Sequence, residues 1–165
     1  RLCERRWTPK SKTRLMRRLS THASELKKRS KPLQAEQIAS KLLHAPLVSA
    51  LVGDRIALAR LPHNAEMPAL VYNVVSDTSI EWVDNRTQYL RQARLQVNPI
   101  AHSVGALKEL QQAVITSIDF KQNVDVGEAF LVYCRLNLIG PMDKDDEVGV
   151  WTQPTDFLIH YYQKR

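Results

Sequence analysis

The sequence predicts an α+β domain: an antiparallel or mixed β-sheet of about four to five strands packed against two main helices, with a basic N-terminal extension. Three observations predict it. A helical apolar stripe runs through "VGALKELQQAVITSI" (104–118), with Leu107, Leu110, Val114 and Ile118 on one face. Runs of strand length and strand composition occur at 69–76, 87–98, 128–139 and 155–163. Basic charge is crowded into the segment before Pro32.

The first helix of the domain is expected over "PLQAEQIASKLLHA" (32–45). Pro32 suits a first helical position, where a missing N–H costs nothing. Leu33, Gln37, Ile38, Leu42 and Ala45 are expected to face the core. Pro46 opens a second short turn, "PLVSALV", stopped by Gly53. A brief strand follows around Arg55 to Ala59, and "HNAEMP" reads as a loop. "ALVYNVVS" (69–76) reads as a strand that ends in the polar turn "SDTS". "TQYLRQARLQVN" (87–98) is a longer strand, with Tyr89, Ala93, Leu95, Val97 and also Arg91 on one side, Leu90, Gln92, Arg94 and Gln96 on the other, and Pro99 at or just beyond its end. Ser103 is placed to cap the 104–118 helix. "EAFLVYCRLNLI" (128–139) and "TDFLIHYYQ" (155–163) are strands on either side of the acidic segment "GPMDKDDEVG" (140–149).

At 165 residues and 44% hydrophobic, the chain suits one domain with a substantial core. No window approaches 18 consecutive apolar residues, so no membrane span is expected. The first residues, "RLCERRWTPK", lack the apolar stretch of a secretory signal, and the absence of an initiator Met leaves room for residues upstream of Arg1. Cys3 and Cys134 match no zinc spacing. Free thiols in a cytosolic assembly are the simpler reading, and a single bridge is the alternative.

The net charge of +7 is unevenly divided. Up to Lys31 the chain carries twelve Lys/Arg against Glu4 and Glu25. The rest carries twelve basic and fifteen acidic residues. A basic arm (residues 1–31) is thus joined to a mildly acidic body (32–165), and such an arm suits an anionic partner, either nucleic acid or an acidic protein surface. Between Ser11 and Arg29, Leu15, Leu19, Ala23 and Leu26 share a helical face, while Arg14, Arg17, Arg18, Lys27 and Lys28 lie elsewhere. So narrow a stripe is expected to form a helix only against a partner or neighbouring subunit.

A search for catalytic chemistry comes out negative. The acidic run Asp143, Asp145, Asp146 and Glu147 invites an EF-hand reading, but Val148 stands where that loop needs Gly and Pro154 where it needs Glu. The preceding element also reads as a strand where a helix is required. A solvated acidic loop, or one docking a basic surface, is the better reading. The glycines are dispersed, so no phosphate loop occurs, and the five histidines show no metal-ligand spacing. Cys134 falls within a strand and reads as a buried small residue. Tyr72, Tyr89, Phe130, Tyr133 and Phe157 read as core or sheet-face residues. Trp82 and Trp151 lie in or beside turns, and are either interface anchors or lids at the end of the core. An enzyme is not expected.

The block "LLHAPLVSALVGDRIALARLPHNAEMPALVYNVVS", followed by "RQARLQVNPIAHSVGALKELQQAV" and a closing "TDFLIHYY", resembles the tail-completion (tail-to-head joining) proteins of long-tailed bacteriophages. The matching order runs from about Leu33 to Tyr162. Members of that family are similar in fold to phage tail terminators, a sheet flanked by helices with six copies in a ring. The resemblance implies a structural virion protein of the neck, assembled in the host bacterial cytoplasm. It would join the tail tube to the head connector around the path of the genomic DNA, with no catalysis, cofactor or membrane. It places Asp54 and Arg55 at the start of the first strand, "PALVYNVVS" centrally, and "RLQVNPIA" as the strand leading into the helix behind the sheet.

The basic arm departs from the compact form of that family. One reading has it knit the neck through Arg14, Leu15, Arg17, Arg18, Leu19 and Leu26, against the connector or a neighbouring subunit. The other has it line the channel and contact phosphates. A ring repeats one heterologous interface. Asp143, Asp145, Asp146 and Glu147 are therefore expected to face Arg55, Arg60, Arg91 or the arm of a neighbour, or else to line the lumen and repel DNA. The rival functions are a tail terminator that caps tube polymerisation and, in a different class, a nucleic-acid-binding protein acting through the arm.

Overall fold

The computed structural model describes residues 34–80 and 88–164. The basic arm and Trp82, with the contacts expected of them, lie outside the described residues.

The domain opens with helix α1 (Gln34–Leu43), which buries Ala35, Ile38, Ala39, Leu42 and Leu43. Ile38 and Leu42 face the core as expected, whereas Gln37 and Ala45 are only half-buried. The buried face is completed instead by Ala35, Ala39 and Leu43. Helix α2 (Pro46–Val52) has Pro in its first turn and stops at Gly53, whose φ of 54° is a left-handed value that Gly adopts without strain. Strand β1 (Ile56–Leu58) ends where Ala59 turns to φ 64° and the Arg60 N–H donates to the Leu58 carbonyl.

Strand β2 (Ala69–Ser79) runs through the expected turn at 76–79. A bulge between Val74 and Ser76 lets it stay paired with strand β3 (Gln88–Ala101) as far as Ser79. The polar residues "SDTS" remain in the strand because they are satisfied there. Thr78 Oγ1 donates to the Gln92 carbonyl, and Asp77 holds Arg91 and Tyr161. β3 likewise continues past Pro99, which lies level with the interruption between strands β7 (Val150–Thr152) and β8 (Thr155–Lys164). There the ladder has little pairing to lose.

Helix α3 (Val104–Ile118) begins at Ser103, whose hydroxyl accepts from the Ala106 N–H at 3.2 Å. Leu107, Leu110, Val114 and Ile118 are all buried, as their spacing predicts. Three further elements escaped sequence reading, β7 among them. Strand β4 (Gln122–Val126) is a short edge strand whose only apolar residues are Val124 and Val126. Strand β6 (Asp143–Asp145) lies within the acidic segment and pairs with β7. Strand β5 (Ala129–Ile139) forms as expected.

The sheet therefore has eight strands among the described residues rather than four to five. Its order is β1-β2-β3-β8-β5-β4, with β7 on β3 and β6 on β7. Among the described strands only β1 and β2 pair in parallel. Helices α1 and α3 pack on one face, over Leu95, Phe157, Ile159 and Tyr161. The opposite face carries Arg94 and Asp156, which are hydrogen-bonded to each other, and Tyr133 stacked on His160 at 4.2 Å between ring centres. The result is an α+β fold with three helices and a mixed sheet. No helix among the described residues is long and apolar enough to cross a membrane.

Candidate functional site

The acidic segment is the tip of a long β-hairpin. Strands β5 and β8 pair from Ala129 with Gln163 to Ile139 with Thr155, and the two chains then continue as β6 and β7. Between the two ladders both chains are interrupted, at Gly140–Met142 and Gln153–Pro154. Gly140 donates its N–H to the Pro154 carbonyl at 2.8 Å, and a Cβ added at Gly140 would lie 3.0 Å from Pro154 Cγ. The joint is tied to α3 by side chains. Gln153 Nε2 donates to the Gly140 carbonyl at 2.7 Å, and Lys108 Nζ reaches both Gln153 Oε1 and Gln111 Oε1. Gln111 Nε2 in turn donates to Thr155 Oγ1 at 3.0 Å in a buried setting. Pairing of β7 with Ile100 and Ala101 of β3 gives the distal part a second support.

At the tip, carboxylates make the turn. Asp145 Oδ1 accepts from the N–H groups of Glu147 (3.0 Å) and Val148 (3.3 Å), and Gly149, at φ 70°, closes back on the Asp145 carbonyl. Asp143 Oδ1 accepts from the Lys144 N–H. Lys144 Nζ pairs with Asp146 at 2.6 Å and lies 5.8 Å from the Trp151 ring centre. Trp151 is half-buried in β7, level with Lys144 of β6 and Ala101 of β3. Glu147 is exposed. Among the described residues no group of three or more His, Cys, Asp or Glu could hold a metal ion.

The arginines named with these acids lie apart from them. Arg91 is at the other end of the sheet, where its Nε donates to Asp77 Oδ1 at 2.9 Å and its Nη2 to the Asp77 carbonyl. That hydrogen bond raises the guanidinium above its usual range. Arg55 donates to the carbonyls of Pro68 (2.9 Å) and Leu51 (3.4 Å) and lies 3.9 Å from Glu66. Arg60 is exposed just beyond β1 and makes no ion pair among the described residues.

Sequence reading missed the apolar part of the hairpin surface. Leu138, Ile139, Met142 and Val148 are all exposed, Val148 by 62%. Within "EAFLVYCRLNLI" an apolar run suggests burial, but register shifts between Leu131 and Tyr133 and between Leu136 and Leu138 change which residues face the core. Phe120 is 82% exposed at φ 56°. It is held by Asp119 Oδ1, which accepts from the N–H groups of both Phe120 and Leu136.

Of the aromatic residues expected in the core or on a sheet face, Tyr72 and Phe157 are buried, Phe130 is half-buried and Tyr133 is exposed. Cys134 is a free, buried thiol, and burial above all, then nearby Asp119, pushes its pKa up to about 12. It packs and is held out of thiolate chemistry. Burial, with Arg135 second, lowers His160 below its ordinary value.

Among solved structures, the fold is similar to a chain in the virion of a native gene transfer agent (GTA) particle. The TM-score is 0.57 over 76% of this chain and 91% of that one, at 12% sequence identity. At that identity the likeness is one of fold. No protein-family model matches the sequence, and no curated protein matches it.

Proposed function

We propose that this protein is a structural component of a phage-like virion, forming a ring in the neck that joins the tail tube to the head connector around the DNA path. The observation that carries the reading is the shared fold with a virion chain over most of both lengths. The order of sequence blocks that resembles the tail-completion proteins supports the same reading. So does the hairpin, whose exposed apolar and acidic residues suit protein contact.

In this reading the subunits contact one another or the connector through Asp143, Asp145, Asp146, Glu147 and Trp151 of the hairpin and through Arg55 and Arg60 at the opposite sheet edge. Arg91 acts indirectly, by holding the end of the sheet. Arg14, Leu15, Arg17, Arg18, Leu19 and Leu26 of the arm, together with Trp82, complete the joint. Six copies make the ring, and genomic DNA passes through its lumen.

Loss of the gene tests this. Filled heads and separate tails of normal length are expected to accumulate, and adding the purified protein is expected to join them. Tails of uncontrolled length would instead identify a tail terminator. Intact, infectious particles without the protein would overturn the neck reading.

A further inference from the structure

At the hairpin end of the sheet the strands run β1-β2-β3-β7-β6, so β1 and β6 are the outermost strands on opposite edges. Tracing register across the row, Leu58 lies level with Tyr72 and Val97, and Ile56 with Leu70 and Pro99. Lys144 lies level with Trp151 and Ala101. The two edges are thus offset by two to four residues along β3, about 7–13 Å.

Both edges carry exposed apolar residues: Leu58 on one side, and Ile139, Met142 and Val148 on the other. Their charges differ: the tip is net acidic, whereas beside β1 Arg55 and Arg60 balance Asp54 and Glu66. The hairpin tip holds Asp143, Asp145, Asp146 and Glu147 against Lys144 alone. Beside β1, Arg55 is partly answered by Glu66, Asp54 precedes the strand on the side nearer the hairpin, and Arg60 stands exposed beyond the end farther from it. Strand-to-strand addition is disfavoured at β6, because it is short and charged and its Lys144 N–H is taken by the Asp143 carboxylate. The edges are therefore fitted to meet through side chains.

We propose that the hairpin tip of one copy docks on the β1 edge of a second copy, with Glu147 facing Arg60 and Val148 and Met142 packing against Leu58. Two different patches on opposite edges make a heterologous contact, which repeats head to tail as a ring requires. The apolar contact supplies area, and the charge pair sets register and excludes wrong docking. This deepens the neck-ring reading and rests on it.

The test is a charge swap in the full chain, read as assembly mass by native mass spectrometry or light scattering. Arg60→Glu and Glu147→Lys, each alone, are expected to weaken assembly by at least about tenfold through like-charge contact. The double variant restores the pair at every interface and is expected to return to within about threefold of wild type. Leu58→Asp is expected to weaken assembly in both the native and the swapped background. Far-UV circular dichroism checks that each variant is folded. Single variants that assemble like wild type, or a double variant as defective as its parents, would overturn this contact while leaving the ring intact. A wild-type chain that stays monomeric, alone and with purified heads and tails, would defeat the ring reading and this contact together.

Discussion

Asp77 shows how one side chain can hold three strands together. Its carboxylate receives Arg91 Nε at 2.9 Å and Tyr161 Oη at 2.7 Å, joining the ends of β2, β3 and β8. Asp77→Ala would strand a half-buried cation and a buried hydroxyl, and is expected to cost about 3 kcal/mol in urea unfolding. Tyr161→Phe is expected to cost about 1 kcal/mol. His160 makes a different contribution, because burial lowers its folded pKa. The unfolded chain therefore binds a proton first as pH falls below about 6.5. The stability that neutral His160 contributes is complete above that value and is lost as pH falls through the folded pKa. Unfolding free energies at pH 7.5 and pH 5.5 are expected to differ less in His160→Gln than in wild type. An equal pH dependence would remove this role. None of these partners was legible in the sequence, because Asp77 and Tyr161 stand 84 residues apart and meet only through strand pairing.

The elements themselves were legible wherever one face carries the signal. Helix α3 forms where its apolar stripe and Ser103 place it, and Gly53 stops α2. Strands were harder to bound. The polar residues at the end of β2 imitate a turn, and β4 has only two apolar residues to mark it. The hairpin joint is the element on which the candidate surface depends. Gln153→Ala removes the side chain that bridges the Gly140 carbonyl and Lys108. Amide hydrogen exchange is expected to rise about tenfold over residues 140–152, for a local loss of about 1–2 kcal/mol, while α3 and the centre of β3 stay unchanged. Uniform acceleration across the domain would show instead that the joint is part of the global folding unit.

At the scale of the whole molecule, what assembles is decided by which surfaces the sheet leaves exposed. The acidic run was visible in the sequence as an oddity, and its failure as an EF-hand could be argued from Val148 and Pro154 alone. Its place at the end of a braced hairpin, on the opposite edge from Arg60, could not. The sequence by itself determined the α+β class, the capped helix α3, the shared side of Ala93, Leu95 and Val97 in β3, and the separation of a basic arm from a mildly acidic body. Each of these follows from local periodicity or composition. Only the tertiary structure decided that Arg91 serves Asp77, that Leu138 and Ile139 face outward, and that β1 and β6 end the same row of strands. Those outcomes depend on register between segments distant in the chain. A single bulge can turn a side chain from core to surface without altering the composition of its strand.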